Sequence, residues 1–153
     1  KASHRRRPPG SEPMATIEEL RQQYESLEDQ FDVSPETAID SGCLLTFDYD
    51  YRGQESEVVV DTDEFAAVCP RNGLPDFGIL TLTYVPDRSC IELKSLKYYL
   101  MSYRSVGIVQ EHAANRILND LVAACRPVRM RVALDYKPRG GLHTTVTVEY
   151  PQN

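Results

Sequence analysis

At 153 residues and 41% hydrophobic content, the chain is long enough for one domain with a substantial core, and no apolar run approaches the ~20 residues of a membrane-spanning helix. Residues 1–13 carry four basic residues and one acid, so a formal net charge of −6 leaves the other 140 at −9, which argues against a duplex-binding face of clustered Lys and Arg. The four cysteines, Cys43, Cys69, Cys90 and Cys125, lack CxxC spacing and are read as reduced thiols of a cytoplasmic protein that binds neither nucleic acid nor membrane.

The opening "KASHRRRPPGSEP" reads as a tag-like leader over 1–13, with a single domain over 14–153. "ATIEELRQQYESLEDQF" is acidic early and apolar at Ile17, Leu20, Tyr24, Leu27 and Phe31, a short amphipathic helix. "CLLTFDYDY" and "SEVVVDTDEF" flank the glycine-containing "RGQE" and predict a hairpin. Residues 68–78, "VCPRNGLPDFG", hold two prolines and two glycines and predict an irregular loop. "FGILTLTYV" then alternates as a strand, and "PDRS" is a turn. Two helices follow: "LKSLKYYLMSYR", with Leu93, Leu96, Leu100 and Tyr103 on one face, and "IVQEHAANRILNDLVAAC", with Ile117, Leu118, Leu121, Val122 and Cys125 on another. "VRMRVALDY" and "HTTVTVEY" close the chain as strands around "KPRGGL". Helices grouped between strands, rather than alternating with them, imply an antiparallel sheet in an α+β domain.

Chemistry concentrates in a few places. A lone cysteine is ordinarily a small buried hydrophobe, and Cys43 and Cys125 fit that description. Cys69 differs because Pro70, Gly73 and Pro75 fix a tight loop around it, and Asp76 could serve as base to the thiol and then as acid to the product. Filler, ligand and nucleophile all remain open at this point. His112 and His143 are isolated, so no metal site is expected. Lys94 and Lys97 share a face near a helix start, where the helix dipole disfavours cations unless an anion binds; a solvated face is the plain alternative. Gln110 and Glu111 open the next helix, where an acid complements the dipole or grips a planar heterocycle. Lys137 and Arg139 lie at the tip of a turn.

Four stretches taken together resemble one family. "ELKSLKYY" looks like the signature of the 7-cyano-7-deazaguanine reductases, the nitrile reductases of queuosine biosynthesis. "EFAAVCPRNGLPDFG", "QEHAANRILNDL" and "PRGG" are similar to the same family in the same order, over about residues 56–150, in its short single-module form. The resemblance implies the tunnelling fold: an antiparallel sheet with two helices on one face, joined between subunits into a barrel. It also implies a homo-oligomer of stacked rings with active sites at subunit interfaces. It makes Cys69 the nucleophile that forms a thioimide with the nitrile, and Asp76 its proton partner. It places substrate contacts on Ile91, Glu92, Leu93, Gln110 and Glu111, and the phosphates of NADPH on Lys94, Lys97 and Arg139. No GxGxxG follows a strand, so the cofactor is not held in a Rossmann manner. The chain departs from the family's His-Glu pattern at Gln110-Glu111. Two alternatives stand beside this reading: a sister amidinotransferase-like enzyme acting on the same nitrile, and a non-catalytic ring-forming binding protein.

Overall fold

The computed structural model describes residues 15–28 and 31–152. The chain divides into two units, 1–30 and 31–153. The expected leader, 1–13, lies outside the described residues. In the first unit, helix α1 (Ile17–Glu28) opens on a capping box: Thr16 Oγ1 accepts the Glu19 N–H at 3.2 Å, and Glu19 Oε2 accepts the Thr16 N–H at 2.7 Å.

The second unit begins with two single 3-10 turns, Glu36–Ala38 and Ser41–Cys43, so Cys43 lies in a turn and not at the head of a strand. Its main sheet is four-stranded and antiparallel, built from β2 (Val58–Val68), β3 (Pro75–Val85), β5 (Arg129–Tyr136) and β6 (Thr145–Tyr150) in that order. Helices α2 (Leu93–Met101) and α3 (Gln110–Cys125) sit between β3 and β5 in the chain and join the sheet in one core. Alternation decides which side chains face them. Leu80, Leu82 and Tyr84 of β3 and Met130, Val132 and Leu134 of β5 are buried, while Phe77 and Ile79 point to the open face. The fold is therefore α+β with an antiparallel sheet, as the element order implies.

Three expectations need correction. β1 (Thr46–Asp48) does not pair with β2; it forms a separate two-stranded sheet with β4 (Ser89–Ile91), a short strand directly after "PDR". Apolar alternation identifies a strand but not its partner. Leu93 is 59% exposed, and the fully buried helix residue is Tyr99. The Tyr99 hydroxyl meets Tyr103 Oη at 2.8 Å and donates to Asp120 Oδ2 at 2.7 Å, which makes its burial affordable. Finally, the loop expected over 68–78 shrinks to residues 69–74. β2 and β3 extend into it, pairing Ala67 with Asp76 and Val68 with Pro75.

Candidate active site

The shortened loop is what brings the chemistry together. Cys69 is the first loop residue after β2, and Asp76 is the second residue of β3, where it pairs with Ala67, so the hairpin register brings both to the same end of the strand pair. The loop is closed by its own backbone: the Cys69 N–H donates to Leu74 O at 2.9 Å and the Gly73 N–H to Cys69 O at 2.8 Å. Asn72 Oδ1 accepts the Leu74 N–H at 3.0 Å.

A second segment is clamped against this hairpin. The Val68 N–H donates to Val106 O at 3.0 Å and the Ile108 N–H donates to Val68 O at 3.2 Å. On the other side of the segment, the Gly107 N–H donates to Ser34 O at 2.9 Å. A β-carbon at Gly107 would collide with the Val33 side chain and stand 3.2 Å from Pro70 Cα, so any larger residue would push these neighbours aside. Three residues after Gly107, α3 begins, and its first residue reaches the site: Gln110 Nε2 lies 3.4 Å from Asp76 Oδ1. The Tyr136 hydroxyl, buried on β5, donates to Gln110 O at 3.3 Å and holds that first turn in place. Burial, with the negative charges of Asp76 and Glu111, pushes the Tyr136 phenol up, so it acts as a neutral donor.

Asp76 is 5% exposed, and its carboxylate is met by Arg139 Nη1 at 2.6 Å. Sequence reasoning missed this pair because the residues are 63 apart and nothing in the spacing of either marks the other. The Cys69 thiol feels opposing influences. Burial pushes it up, but hydrogen bonds from the Arg71 and Asn72 backbone N–H groups and the Arg139 guanidinium together hold it below its ordinary value. The other cysteines differ: burial pushes Cys43 up and Cys125 up to about 12, so neither is a poised nucleophile.

The remaining expected residues form a second group at the start of α2. Ile91 is buried at the end of β4, where its N–H donates to the Tyr84 hydroxyl at 3.1 Å. Glu92 is the helix cap: its two carboxylate oxygens accept the N–H groups of Lys94 at 2.9 Å and Ser95 at 2.7 Å, and these bonds lower its pKa. A carboxylate at that end also offsets the unfavourable placement of Lys94 and Lys97 against the dipole. Leu93 and Lys97 line a groove of about 190 Å³ with Phe65, Leu96, Leu100 and Arg104. Lys94 and Lys97 are exposed and have no carboxylate partner among the described residues. Exposed cations beside an apolar groove suit a phosphate-bearing ligand with a planar ring. Among the described residues, no hydrogen bond or ion pair links this group to the Cys69 group, and none of them form a cluster of three metal-ligating side chains.

A family model described as QueF-like protein matches residues 75–153. The NADPH-dependent 7-cyano-7-deazaguanine reductase of Chlorobaculum tepidum is 51% identical over 110 residues, covering 72% of this chain and 94% of that protein. The chain belongs to the QueF-like 7-cyano-7-deazaguanine reductase family. Reductases of the same name from Elusimicrobium minutum and Caldanaerobacter subterraneus are 50% and 46% identical, covering 67% and 80% of this chain and 73% and 92% of their own lengths. Among solved structures, the apo archaeosine synthase QueF-Like superposes with a TM-score of 0.58 at 26% identity, over 61% of this chain and 92% of that one. No described helix is long and apolar enough to cross a membrane.

Proposed function

We propose that this chain catalyses the NADPH-dependent reduction of the nitrile of 7-cyano-7-deazaguanine to an aminomethyl group, with Cys69 as nucleophile and Asp76 as its proton partner. The observation that carries the reading is the Cys69 thiol: buried, held below its ordinary pKa by two backbone N–H groups and a guanidinium, and set across a hairpin from a buried carboxylate. A thiol that also lies in a chain half identical to the reductases is read as their nucleophile.

The chemistry follows from those groups. The Cys69 proton passes to Asp76, the sulfur adds to the nitrile carbon, and one π bond of C≡N opens toward nitrogen, which takes the proton from Asp76. A nitrile accepts hydride poorly; a thioimide carbon accepts it better, so the covalent step divides one high barrier into lower ones. NADPH supplies hydride, and nitrile to amine is a four-electron change, so two equivalents are consumed. Gln110 and Glu111 on the first turn of α3 are positioned for the heterocycle, with Ile91, Glu92 and Leu93 completing the substrate contacts. Lys94 and Lys97 fit the phosphates of the cofactor.

That no hydrogen bond or ion pair links the Cys69 group to the α2 group among the described residues supports an interface site, in which one subunit's groove faces the neighbour's thiol. Among the described residues the sheet ends on two edge strands, β2, met by another segment at Val68, and β6, and pairing them between copies would close it into a barrel. We read the protein as a homo-oligomer of stacked rings on this ground, and as cytoplasmic because its four cysteines are free. The reductase reading is favoured over the amidinotransferase-like alternative because relatives named as reductases are about half identical to this chain.

The test follows absorbance of NADPH with the nitrile substrate present. The expected result is two NADPH oxidised per nitrile and none with the Cys69→Ala variant. Turnover of the nitrile without NADPH oxidation would contradict the reductase reading.

A further inference from the structure

The two oxygens of the Asp76 carboxylate are not equivalent. Arg139 Nη1 donates to Oδ1 at 2.6 Å, and Gln110 Nε2 approaches the same Oδ1 at 3.4 Å. An ionised carboxylate oxygen offers two lone-pair positions, so these two donors fill one oxygen. Oδ2 takes no hydrogen bond or ion pair from the described residues. It is not sealed in either. Asp76 is a buried residue, yet among the described residues the sole fully buried side-chain N or O atom without a partner is the Tyr49 hydroxyl. The 5% exposure that Asp76 retains therefore includes Oδ2.

Each donor is itself held. The Lys137 N–H donates to Phe77 O at 2.9 Å, which ties the start of the Arg139 turn to the residue after Asp76. The Arg139 N–H donates to Leu142 O at 2.9 Å and the Leu142 N–H returns to Arg139 O at 3.1 Å, with Gly140 and Gly141 at φ 59° and 77° making the reversal. These are backbone bonds, so a changed side chain at position 139 leaves them available. On the other side, the Tyr136 hydroxyl holds Gln110 O at 3.3 Å. Arg139 is half exposed, but its partner is buried, so losing the guanidinium would leave a buried charge unpaired; the contact persists where a surface pair would come and go.

A carboxylate turns readily about its last bond, and either oxygen can then face a reacting group. Proton transfer works only within hydrogen-bond reach, so a fixed carboxylate transfers more often than a turning one. We propose that Arg139, aided by Gln110, is a positioning residue for Asp76: it ties Oδ1 and leaves Oδ2 as the oxygen that takes the Cys69 proton and passes it to the nitrile nitrogen. Formation of the sulfur–carbon bond and opening of the C≡N π bond then use one oxygen for both proton movements. This goes beyond the phosphate role that the family resemblance implies for Arg139, and it rests on Cys69 being the nucleophile.

The experiment follows adduct formation with 7-cyano-7-deazaguanine and no NADPH, against nitrile concentration. It compares the wild type, Arg139→Gln, Arg139→Lys, Asp76→Ala and the Asp76→Ala, Arg139→Gln double variant. The limiting rate in Arg139→Gln is expected to fall roughly ten- to a hundred-fold, the cost of a misplaced reacting group, with the half-saturating nitrile concentration unchanged. Arg139→Lys should recover part of the loss, since an ammonium pairs with the carboxylate at a single point. In the Asp76→Ala background, Arg139→Gln should slow the adduct no further, because no carboxylate is left to orient. Equal slowing in both backgrounds, or an unchanged adduct rate with a raised KM for NADPH, would overturn the proposal. The geometry has its own readout. Infrared difference spectra between each protein and its Asp76→Ala counterpart, at mildly alkaline pH, give the separation of the two Asp76 carboxylate stretches, which is wide when one oxygen carries the hydrogen bonds. That separation should narrow in Arg139→Gln, and an unchanged separation would also overturn the proposal. If the wild type forms no adduct while the separation narrows as expected, the tie on Oδ1 stands and the nitrile reading alone falls.

Discussion

At the scale of single residues, charge and hydrogen bonding divide the expected site into two parts, to which we assign separate duties as a proposal. Gln110 and Arg139 meet on the Asp76 carboxylate, at the hairpin whose loop holds Cys69, whereas Lys94 and Lys97 lie on α2 without an anionic partner among the described residues. The duties should separate kinetically. Replacing Lys94 or Lys97 by Ala is expected to raise KM for NADPH roughly ten-fold, the worth of one charge-assisted contact, while adduct formation in the absence of NADPH is unchanged. Steady-state kinetics and intact-mass measurement on the same samples check this; loss of the adduct with KM for NADPH intact would reverse the assignment. Cys69 was legible as special because two prolines and a glycine fence its loop. What the sequence does not display is why the thiol is poised, since the N–H donors come from backbone and the guanidinium from 70 residues away.

At the scale of elements, the site depends on how closely the 105–108 segment approaches the Cys69 loop. Gly107→Ala introduces a β-carbon against Val33 and the backbone of Pro70. Overpacking of this kind costs about 1–3 kcal/mol. The expected outcome is a lowered Tm together with a larger proportional loss of kcat, because α3 would carry Gln110 away from Asp76. Thermal unfolding and steady-state assays check it; full activity at a lowered Tm would show that the clamp serves stability alone. The sequence conveyed the helices and the principal strands through periodicity, and α3 in particular follows its apolar stripe through Ile117, Leu118, Leu121 and Cys125. It did not convey partners. The β1–β4 pairing joins residues more than 40 apart, and the inward face of α2 turns on Tyr99, a residue whose hydroxyl must find Tyr103 and Asp120 before the ring can be buried. Both are consequences of tertiary contacts that no local pattern records.

At the scale of the whole molecule, the open face of the sheet carries Val59, Phe77 and Ile79 at about half exposure, and β2 and β6 are its edge strands. A 17.3 kDa chain with these features is expected to run in native mass spectrometry as a defined oligomer many times that mass, and dilution to monomer should abolish turnover because the α2 groove and the Cys69 loop would no longer face each other across an interface. An active monomer would remove the interface site. The reductase reading itself rests on one bond, between Cys69 sulfur and the nitrile carbon, and intact mass spectrometry of the protein mixed with 7-cyano-7-deazaguanine and no NADPH reads that bond directly. The expected spectrum shows a single increment equal to the whole substrate, mapped to Cys69 and absent from Cys69→Ala; no increment, or one carried by Cys43, Cys90 or Cys125, would contradict it.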